Sequence, residues 1–395
     1  MEGMNTTFSS ESTNDLNTFS LLLDIREPEL FAQGHLPGAL NISRDSLLEA
    51  DRDSLPDLIL EAGGNLSFDM PVLVYCTYGI LSEEAAEHLQ ELGCRAAHLE
   101  GGYGKWLAQK IMRESEEASQ TDRRDDIENS LRKRFKKDIT GNFVKAISRY
   151  ELVNPGDHVA VCISGGKDSM LMAKLFQEIK RRNKFPFEVT YLCMDPGYSS
   201  TTLDMIHANA RLLGIPLTIF ESHIFDAVDH IDHSPCYICA RMRRGYLYSK
   251  AKELGCNKIA LGHHYDDVIE TTLMSILYSG QVQTMMPKLH STNFEGMELI
   301  RPMYLIREDD IKKWRDANGL QFIRCACHFT DTCSLEGKGD SNSKRLEAKH
   351  LIADLKKNNP NIEGNLFQSM QNIHLDAVLG YKQNNVRHSF LDTYT

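Results

Sequence analysis

Short apolar runs alternate with amphipathic stretches along most of this chain. The runs Ser20-Leu21-Leu22-Leu23-Asp24-Ile25 and Val72-Leu73-Val74-Tyr75 are too short for helices, and polar turn residues follow each, the pattern of buried parallel strands. A helical stretch from Ser82 to Leu92, stopped by Gly93, follows the second. Residues 18–113 therefore read as a small α/β unit, preceded by a Ser/Thr/Asn-rich tail, 1–17, expected to be disordered. Residues 114–126, ESEEASQTDRRDD, are charged and poor in large apolar side chains, and read as a linker whose extended reach is roughly 43 Å.

The alternation resumes from residue 127. Strands are expected at 159–163, 189–194, 217–220 and 258–261, and helices near 168–182, 201–213, 240–254 and 267–278, each closing at a Gly or a turn signal. This order predicts a doubly wound parallel sheet over 127–345, with ligands bound beyond the carboxyl ends of its strands. Residues 346–395 are polar and helix-leaning, with one apolar stripe through Leu351, Ile352 and Leu355, and read as a C-terminal helical tail.

With 42% hydrophobic and 25% charged residues among 395, the chain is not disordered as a whole. No run approaches the roughly 18–20 apolar residues of a membrane span, and the first twenty residues lack a signal peptide's basic start and apolar centre, so a cytoplasmic protein with no membrane partner is expected. There the ten cysteines stay reduced, and closely spaced pairs suit metal, cluster or sulfur chemistry better than disulfides. The net charge of -11 is unevenly spread: residues 1–120 hold 7 basic and 21 acidic side chains, and the remainder 37 against 34. Basic clusters in the rear part, Arg132-Lys133-Arg134 with Lys136 and Lys137, Lys180-Arg181-Arg182, and Arg241, Arg243 and Arg244, are either solvated helix faces or contacts for a phosphate backbone.

The strand Val159-Ala160-Val161-Cys162-Ile163 runs into Ser164-Gly165-Gly166-Lys167-Asp168-Ser169 and then into a helix. Glycines allow a tight turn and close approach, and the N–H groups opening the helix attract an anion, so the loop is a phosphate cradle. It is not a Walker loop, since GxxxxGK[ST] is absent. SGGKDS resembles the PP-loop of the ATP pyrophosphatases, which split ATP between its α and β phosphates. The resemblance implies an adenine-nucleotide alpha-hydrolase-like domain, phosphate contacts from Ser164, Gly165, Gly166, Lys167 and Ser169, and Asp168 near magnesium. It also implies a strand end at Asp195 bordering the adenosine. Leu261-Gly262-His263-His264-Tyr265-Asp266-Asp267 resembles the family's second signature, which puts His263 at the nucleotide and makes Asp266 and Asp267 the catalytic carboxylates, although acids there also cap helices.

Pro235-Cys236-Tyr237-Ile238-Cys239 sets two thiols three residues apart at a helix start, and Cys325-Ala326-Cys327 with Cys333 lies some 86 residues on. Such a set suits a closed zinc site or an iron–sulfur cluster with one open iron. From Leu131 to Ile373 the chain resembles the tRNA 2-thiocytidine synthetase family, through LRKRF, VCISGGKDS, PCYICARMRRGYLY, KIALGHHYDD, MMPKLH, IRPMYLIREDDI, FIRCAC and LIADLKKNNPNIEGNLFQSMQNI. The resemblance implies a 4Fe-4S cluster held by Cys236, Cys239 and Cys325, with Cys327 as the alternate because CAC replaces the family's CxxC. It also implies ATP and Mg2+ as cofactors and tRNA as the partner; Arg241, Arg243 and Arg244 and the basic helix near 131–137 are the candidates for gripping its phosphates.

In the front unit, Leu23-Asp24-Ile25-Arg26, Gly34-His35-Leu36-Pro37-Gly38-Ala39 and Tyr75-Cys76-Thr77-Tyr78-Gly79-Ile80-Leu81-Ser82 resemble a single rhodanese domain. The resemblance makes Cys76 a persulfide carrier; Leu81 stands where many relatives have an arginine, which argues against thiosulfate as donor. A docking role alone is the alternative. The expected whole is an ATP-dependent tRNA sulfurtransferase giving 2-thiocytidine, supplied by a cysteine desulfurase persulfide or by sulfide. A homodimer is an assembly the sequence allows without requiring. Another tRNA base, a small metabolite, a PP-loop amide ligase or a non-catalytic iron–sulfur sensor stay open as competitors.

Overall fold

The computed structural model describes residues 7–8, 15–117, 120–182, 184–222, 235–323, 340–392 and 394. In the front unit, β1 (Thr7–Phe8), β2 (Leu21–Asp24), β3 (Leu40–Asn41), β4 (Pro71–Tyr75) and β5 (Arg95–Leu99) form a sheet in the order β1-β5-β4-β2-β3, every pair parallel. β2 and β4 pair from Leu21 with Val72 to Asp24 with Tyr75, and both are buried, which is why they read as unbroken apolar runs. β5, RAAHL, carries no such signal; pairing to β4 makes it a strand. β1 corrects the expectation of a disordered tail at one point, since Thr7 and Phe8 pair with β5. The helices here are α1 (Pro28–Gln33), α2 (Arg44–Glu49), α3 (Leu55–Glu61), α4 (Leu81–Glu91) and α5 (Gly102–Glu117).

The stretch 114–126, expected as a linker, is instead largely helical: it holds the end of α5 and the start of α6 (Gln120–Arg132). Its Glu, Gln and Arg residues are helix formers, and Ile127 and Leu131 anchor α6 in the rear core. The reach of that stretch falls toward about 1.5 Å per residue. α5 lies along α9 (Ser200–Leu213), with Trp106 and Leu107 sharing an apolar cluster with Met205 and Ala208, so the two units meet in a packed seam.

Between α6 and the rear sheet come a turn of π-helix (Lys136–Gly141) and α7 (Asn142–Tyr150). The sheet contains β6 (His158–Ile163), β7 (Glu188–Asp195), β8 (Leu217–Glu221), β9 (Lys258–Ala260), β10 (Lys288–His290) and β11 (Glu298–Ile300), in the order β10-β11-β9-β6-β7-β8. All pairs are parallel except β10 with β11, so one edge departs from the expected parallel sheet. α8 (Lys167–Arg182), α9, α10 (Pro235–Glu253), α11 (Tyr265–Ser279) and α12 (Glu308–Ala317) complete the unit. In the tail, α13 (Asp340–Asn358) and α14 (Ile362–Ser369) pack on α11, where Tyr265 stacks on Phe367 at 4.4 Å. The tail is not helical throughout: β12 (Gly380–Gln383) and β13 (Val386–Ser389) form a hairpin turned by Asn384 and Asn385, both at positive φ. No helix among the described residues is long and apolar enough to cross a membrane.

Candidate active site

β6 and β9 are neighbours, and the strand order reverses between them: β7 and β8 extend one way, β11 and β10 the other. Loops leaving adjacent strands at such a point splay apart and leave a crevice. A cavity of about 360 Å³ lies there, walled by Ser164, Asp168 and Ser169 from one loop and by Gly262, His263 and Asp267 from the other.

The first loop is a tight hook. Gly165 adopts φ +83°, and a Cβ there would come within 2.4 Å of Ile323 Cδ1, so the position requires glycine. Ser169 Oγ accepts from the Ser164 N–H (3.1 Å) and donates to Gly166 O (3.0 Å), closing the hook over the start of α8. The helix N-terminus and Lys167 supply positive potential for a phosphate. Lys167 Nζ lies 3.0 Å from Asp168 Oδ2 and 3.4 Å from Glu308 Oε1. Asp168 Oδ1 is buried with no hydrogen-bond partner among the described residues, and such a carboxylate oxygen on the cavity wall fits a hard divalent cation such as Mg2+.

Gly262 brings the second loop against the first, since a Cβ there would lie 3.3 Å from Ser169 N. His264 caps α11 reciprocally with Asp267: the His264 N–H donates to Asp267 Oδ2 (2.9 Å) and the Asp267 N–H to His264 Nδ1 (3.5 Å). Arg345 Nη1 also donates to Asp267 Oδ1 (2.8 Å). Burial works to raise the Asp267 pKa, but His264 and Arg345 hold it below the usual carboxylate value. Burial pushes His263 down to about 4, so this cavity-lining imidazole is neutral at pH 7, and its Nδ1 has no hydrogen-bond partner among the described residues.

Two expected residues turn elsewhere. Asp266 accepts from Arg307 Nη2 (2.9 Å) and from the Glu308 N–H (2.7 Å), which caps α12, so one of the two expected carboxylates, Asp267, reaches the cavity wall. Successive residues in a helical turn point about 100° apart, which separates the pair. Asp195 Oδ1 accepts from the N–H groups of Gly197 (2.9 Å) and Tyr198 (2.7 Å) to close a turn, and Met194 borders the cavity in its stead. Of the three arginines expected to grip RNA, Arg243 lines the cavity and donates to Tyr198 Oη (2.8 Å), Arg244 is exposed, and the side chain of Arg241 lies outside the described residues.

Cys236 and Cys239 fall in the first turns of α10, described as backbone only, while Cys325, Cys327 and Cys333 lie outside the described residues. Among the described residues, no three His, Cys, Asp or Glu side chains converge as a metal site. Burial pushes the Cys162 and Cys193 thiols up to about 12, which keeps both protonated and poor as ligands.

In the front unit, Cys76 follows β4 and its Sγ accepts the Gly79 N–H at 3.1 Å. Gly79 has φ +88°, and a Cβ there would sit 2.7 Å from Gly101 N. The Tyr103 and Gly104 N–H groups pin the loop by donating to Cys76 O and Thr77 O, each at 2.9 Å. Leu81 packs against the apolar core of this unit. Behind the loop, buried Arg26 donates to Asp24 Oδ1 (2.8 Å) and Gly34 O (2.8 Å) and stacks over Tyr103 at 4.1 Å.

The seam links the two loops. A Cβ on Gly104 would touch Thr77 O at 3.1 Å and Thr201 Cγ2 at 3.4 Å, so the sulfur loop abuts the first turn of α9. Tyr103 Oη donates to Gln321 Oε1 (3.2 Å), and two residues later Ile323 closes on Gly165. Sequence patterning had no signal for Gln321 or Arg345; Arg307 and Glu308 lie in the IREDDI run and Ile323 in FIRCAC without a role that spacing alone reveals.

The rhodanese-like domain family matches residues 10–109, and the PP-loop domain family residues 132–327. A tRNA-cytidine(32) 2-sulfurtransferase of Syntrophotalea carbinolica is 35% identical over 260 residues, 64% of this chain and 95% of that protein. One from Coxiella burnetii is 34% identical over 266 residues, 66% of this chain and 99% of that protein. Among solved structures, a U34-tRNA thiolase of Methanococcus maripaludis with its [4Fe-4S] cluster covers 58% of this chain and 76% of its own, at TM-score 0.47 and 21% identity.

Proposed function

We propose, for a chain that belongs to the tRNA-cytidine(32) 2-sulfurtransferase family, the ATP-dependent thiolation of a tRNA cytidine in the cytoplasm, with the sulfur carrier built into the same polypeptide. The observation that carries this reading is the seam: the segment 321–323 touches the sulfur loop's unit through Gln321 and the phosphate loop through Ile323. ATP binds with its phosphates on Ser164–Ser169, where the start of α8 and Lys167 take the negative charge. The base oxygen attacks the α phosphorus, pyrophosphate leaves, and the adenylated base then loses AMP to incoming sulfur. Asp267, fixed by His264 and Arg345, and neutral His263 form the wall facing the reacting phosphate. Asp168 is the residue for Mg2+, which when bound draws charge from the phosphates.

Cys76 carries the sulfur as a persulfide, steadied by the Gly79 N–H, after receiving it from a cysteine desulfurase; its release at the sulfide level takes two electrons from external thiols, which leave as a disulfide, and free sulfide bypasses this step. Cys236, Cys239 and Cys325 would hold a 4Fe-4S cluster, whose iron left without a cysteine supplies a Lewis-acid site for sulfur. Soft thiolates three residues apart at a helix start suit that group, and the buried thiols elsewhere do not. Nucleoside mass spectrometry of tRNA from cells with and without the gene tests the reading: 2-thiocytidine present only with the gene is expected, and an unchanged nucleoside profile overturns it.

A further inference from the structure

The basic residues around the π turn sort into two groups. Arg132 donates to Glu178 (3.0 Å), Arg181 to Glu178 (3.1 Å) and Lys180 to Glu188 (3.0 Å), so these charges are neutralised. Lys133, Arg134, Lys136, Lys137 and Arg182 form no ion pair among the described residues, and all five line one open hollow of about 460 Å³. No carboxylate lines it among the described residues; Asp138, the one acid in this run, is exposed and outside the lining.

The backbone builds the hollow. Ile139 and Phe143 are buried in the rear core, and Thr140 donates its hydroxyl to Leu131 O (2.8 Å), which anchors the π turn from inside and leaves its lysines exposed. Gly141 suits the wide turn, since a Cβ there would press within 3.0 Å of Lys136 O. Single π turns recur at functional sites. α8 starts at the phosphate loop and ends at Arg182, so about 24 Å of helix separates the hollow from the ATP cavity and it is no part of the pyrophosphate subsite.

We infer that this hollow docks the sugar–phosphate backbone of the RNA substrate at a distance from the reacting base, an inference that rests on the tRNA thiolase reading. The chain as a whole carries -11, which repels a polyanion, and here five cations stand together with no acid among them. A phosphodiester backbone presents repeated charges to such a surface, whereas a free phosphate is better served by a closed cradle of backbone N–H groups like that after β6.

Anisotropy titration of full-length tRNA with the whole chain tests this, comparing wild type with Lys136→Ala/Lys137→Ala and, on a different helix, with Arg182→Ala. The double variant should bind tRNA about tenfold more weakly near 0.1 M salt, with a slope of log affinity on log salt smaller by about two. Lys136→Arg/Lys137→Arg should restore binding, and melting temperatures should match wild type. Wild-type affinity and slope in both alanine variants would overturn the inference while leaving the thiolase reading intact. Saturable pyrophosphate binding that the variants lose, with tRNA affinity unchanged, would assign the hollow to a free anion and also overturn it. Failure of the wild type to bind tRNA would overturn the thiolase reading, and this inference with it.

Discussion

The sulfur loop after β4 and the phosphate loop after β6 are the same backbone device put to two uses. Each leaves a parallel strand at a point where strand order reverses, each turns on a glycine at positive φ, +88° at Gly79 and +83° at Gly165, and each opens a helix. In the front unit Arg26 stacks on Tyr103 beside the reversal, and the buried Cys76 Sγ accepts the Gly79 N–H. In the rear unit the reversal holds an open cavity of about 360 Å³. Topology thus provides a place for a ligand, and the side chains filling it decide the ligand's size. The residue at the strand end decides the chemistry: a thiol at Cys76, and hydroxyls, an ammonium and a carboxylate from Ser164 to Ser169.

Breaking the rear loop should have the largest effect. Asp168→Ala is expected to cut tRNA-dependent pyrophosphate release by about 10²–10³-fold while tRNA affinity stays near wild type. Were ADP and phosphate the main products of the wild type, the PP-loop assignment itself would fall. The proposed cluster would serve both loops' outputs: anaerobically purified wild type should be brown with about four irons per chain, and Cys236→Ala colourless with its circular dichroism unchanged. A colourless wild type holding one zinc would refute the cluster.

Cys76→Ser separates the loops. Thiolation should fall to background with a protein persulfide as donor yet persist with sulfide, and thiosulfate should serve poorly even in the wild type because Leu81 packs into the core and adds no cation at this site. Equal rates for variant and wild type with the persulfide would leave the front unit a docking role alone. Gly79→Ala and Gly165→Ala sharpen the comparison, each forcing a Cβ into a left-handed site and costing about 1–3 kcal/mol locally. The first should impair persulfide-driven thiolation alone and the second ATP cleavage, read by donor-resolved kinetics. The smallest effect is expected from Tyr103→Phe, which removes one hydrogen bond across the seam: persulfide-driven turnover should drop about two- to tenfold, with the sulfide rate unchanged.

Much of this was legible in the chain because local signals and burial agreed. β6 to β9 and the four helices near them stand within a few residues of their expected positions, since continuous apolar runs mark strands buried on both faces and glycines such as Gly214 and Gly280 close helices. What failed did so for identifiable reasons. Residues 114–126 looked like a linker because a solvated helix and a coil share a charged composition, and β5 looked like nothing because its partner makes it a strand. Asp266 and Asp267 are adjacent in HHYDD, but a helical turn sends one to Arg307 and Glu308 and the other to the cavity.

The sequence by itself determined the two cradles, because a glycine turn after an apolar strand and before a helix is encoded within about ten consecutive residues and needs no distant partner to be read. It also determined the class of chemistry, through Cys76, SGGKDS and the paired cysteines. Only the tertiary structure decided which carboxylate lines the cavity, that Arg243 turns inward, and that Gln321 and Ile323 join the two units. It also divided the basic residues into a set paired with carboxylates and a set that, among the described residues, lines the hollow without an ion pair. These facts depend on side chains far apart in the chain, such as Tyr103 and Gln321 or Arg132 and Glu178, whose meeting is set by packing of elements and leaves no periodic trace along the chain.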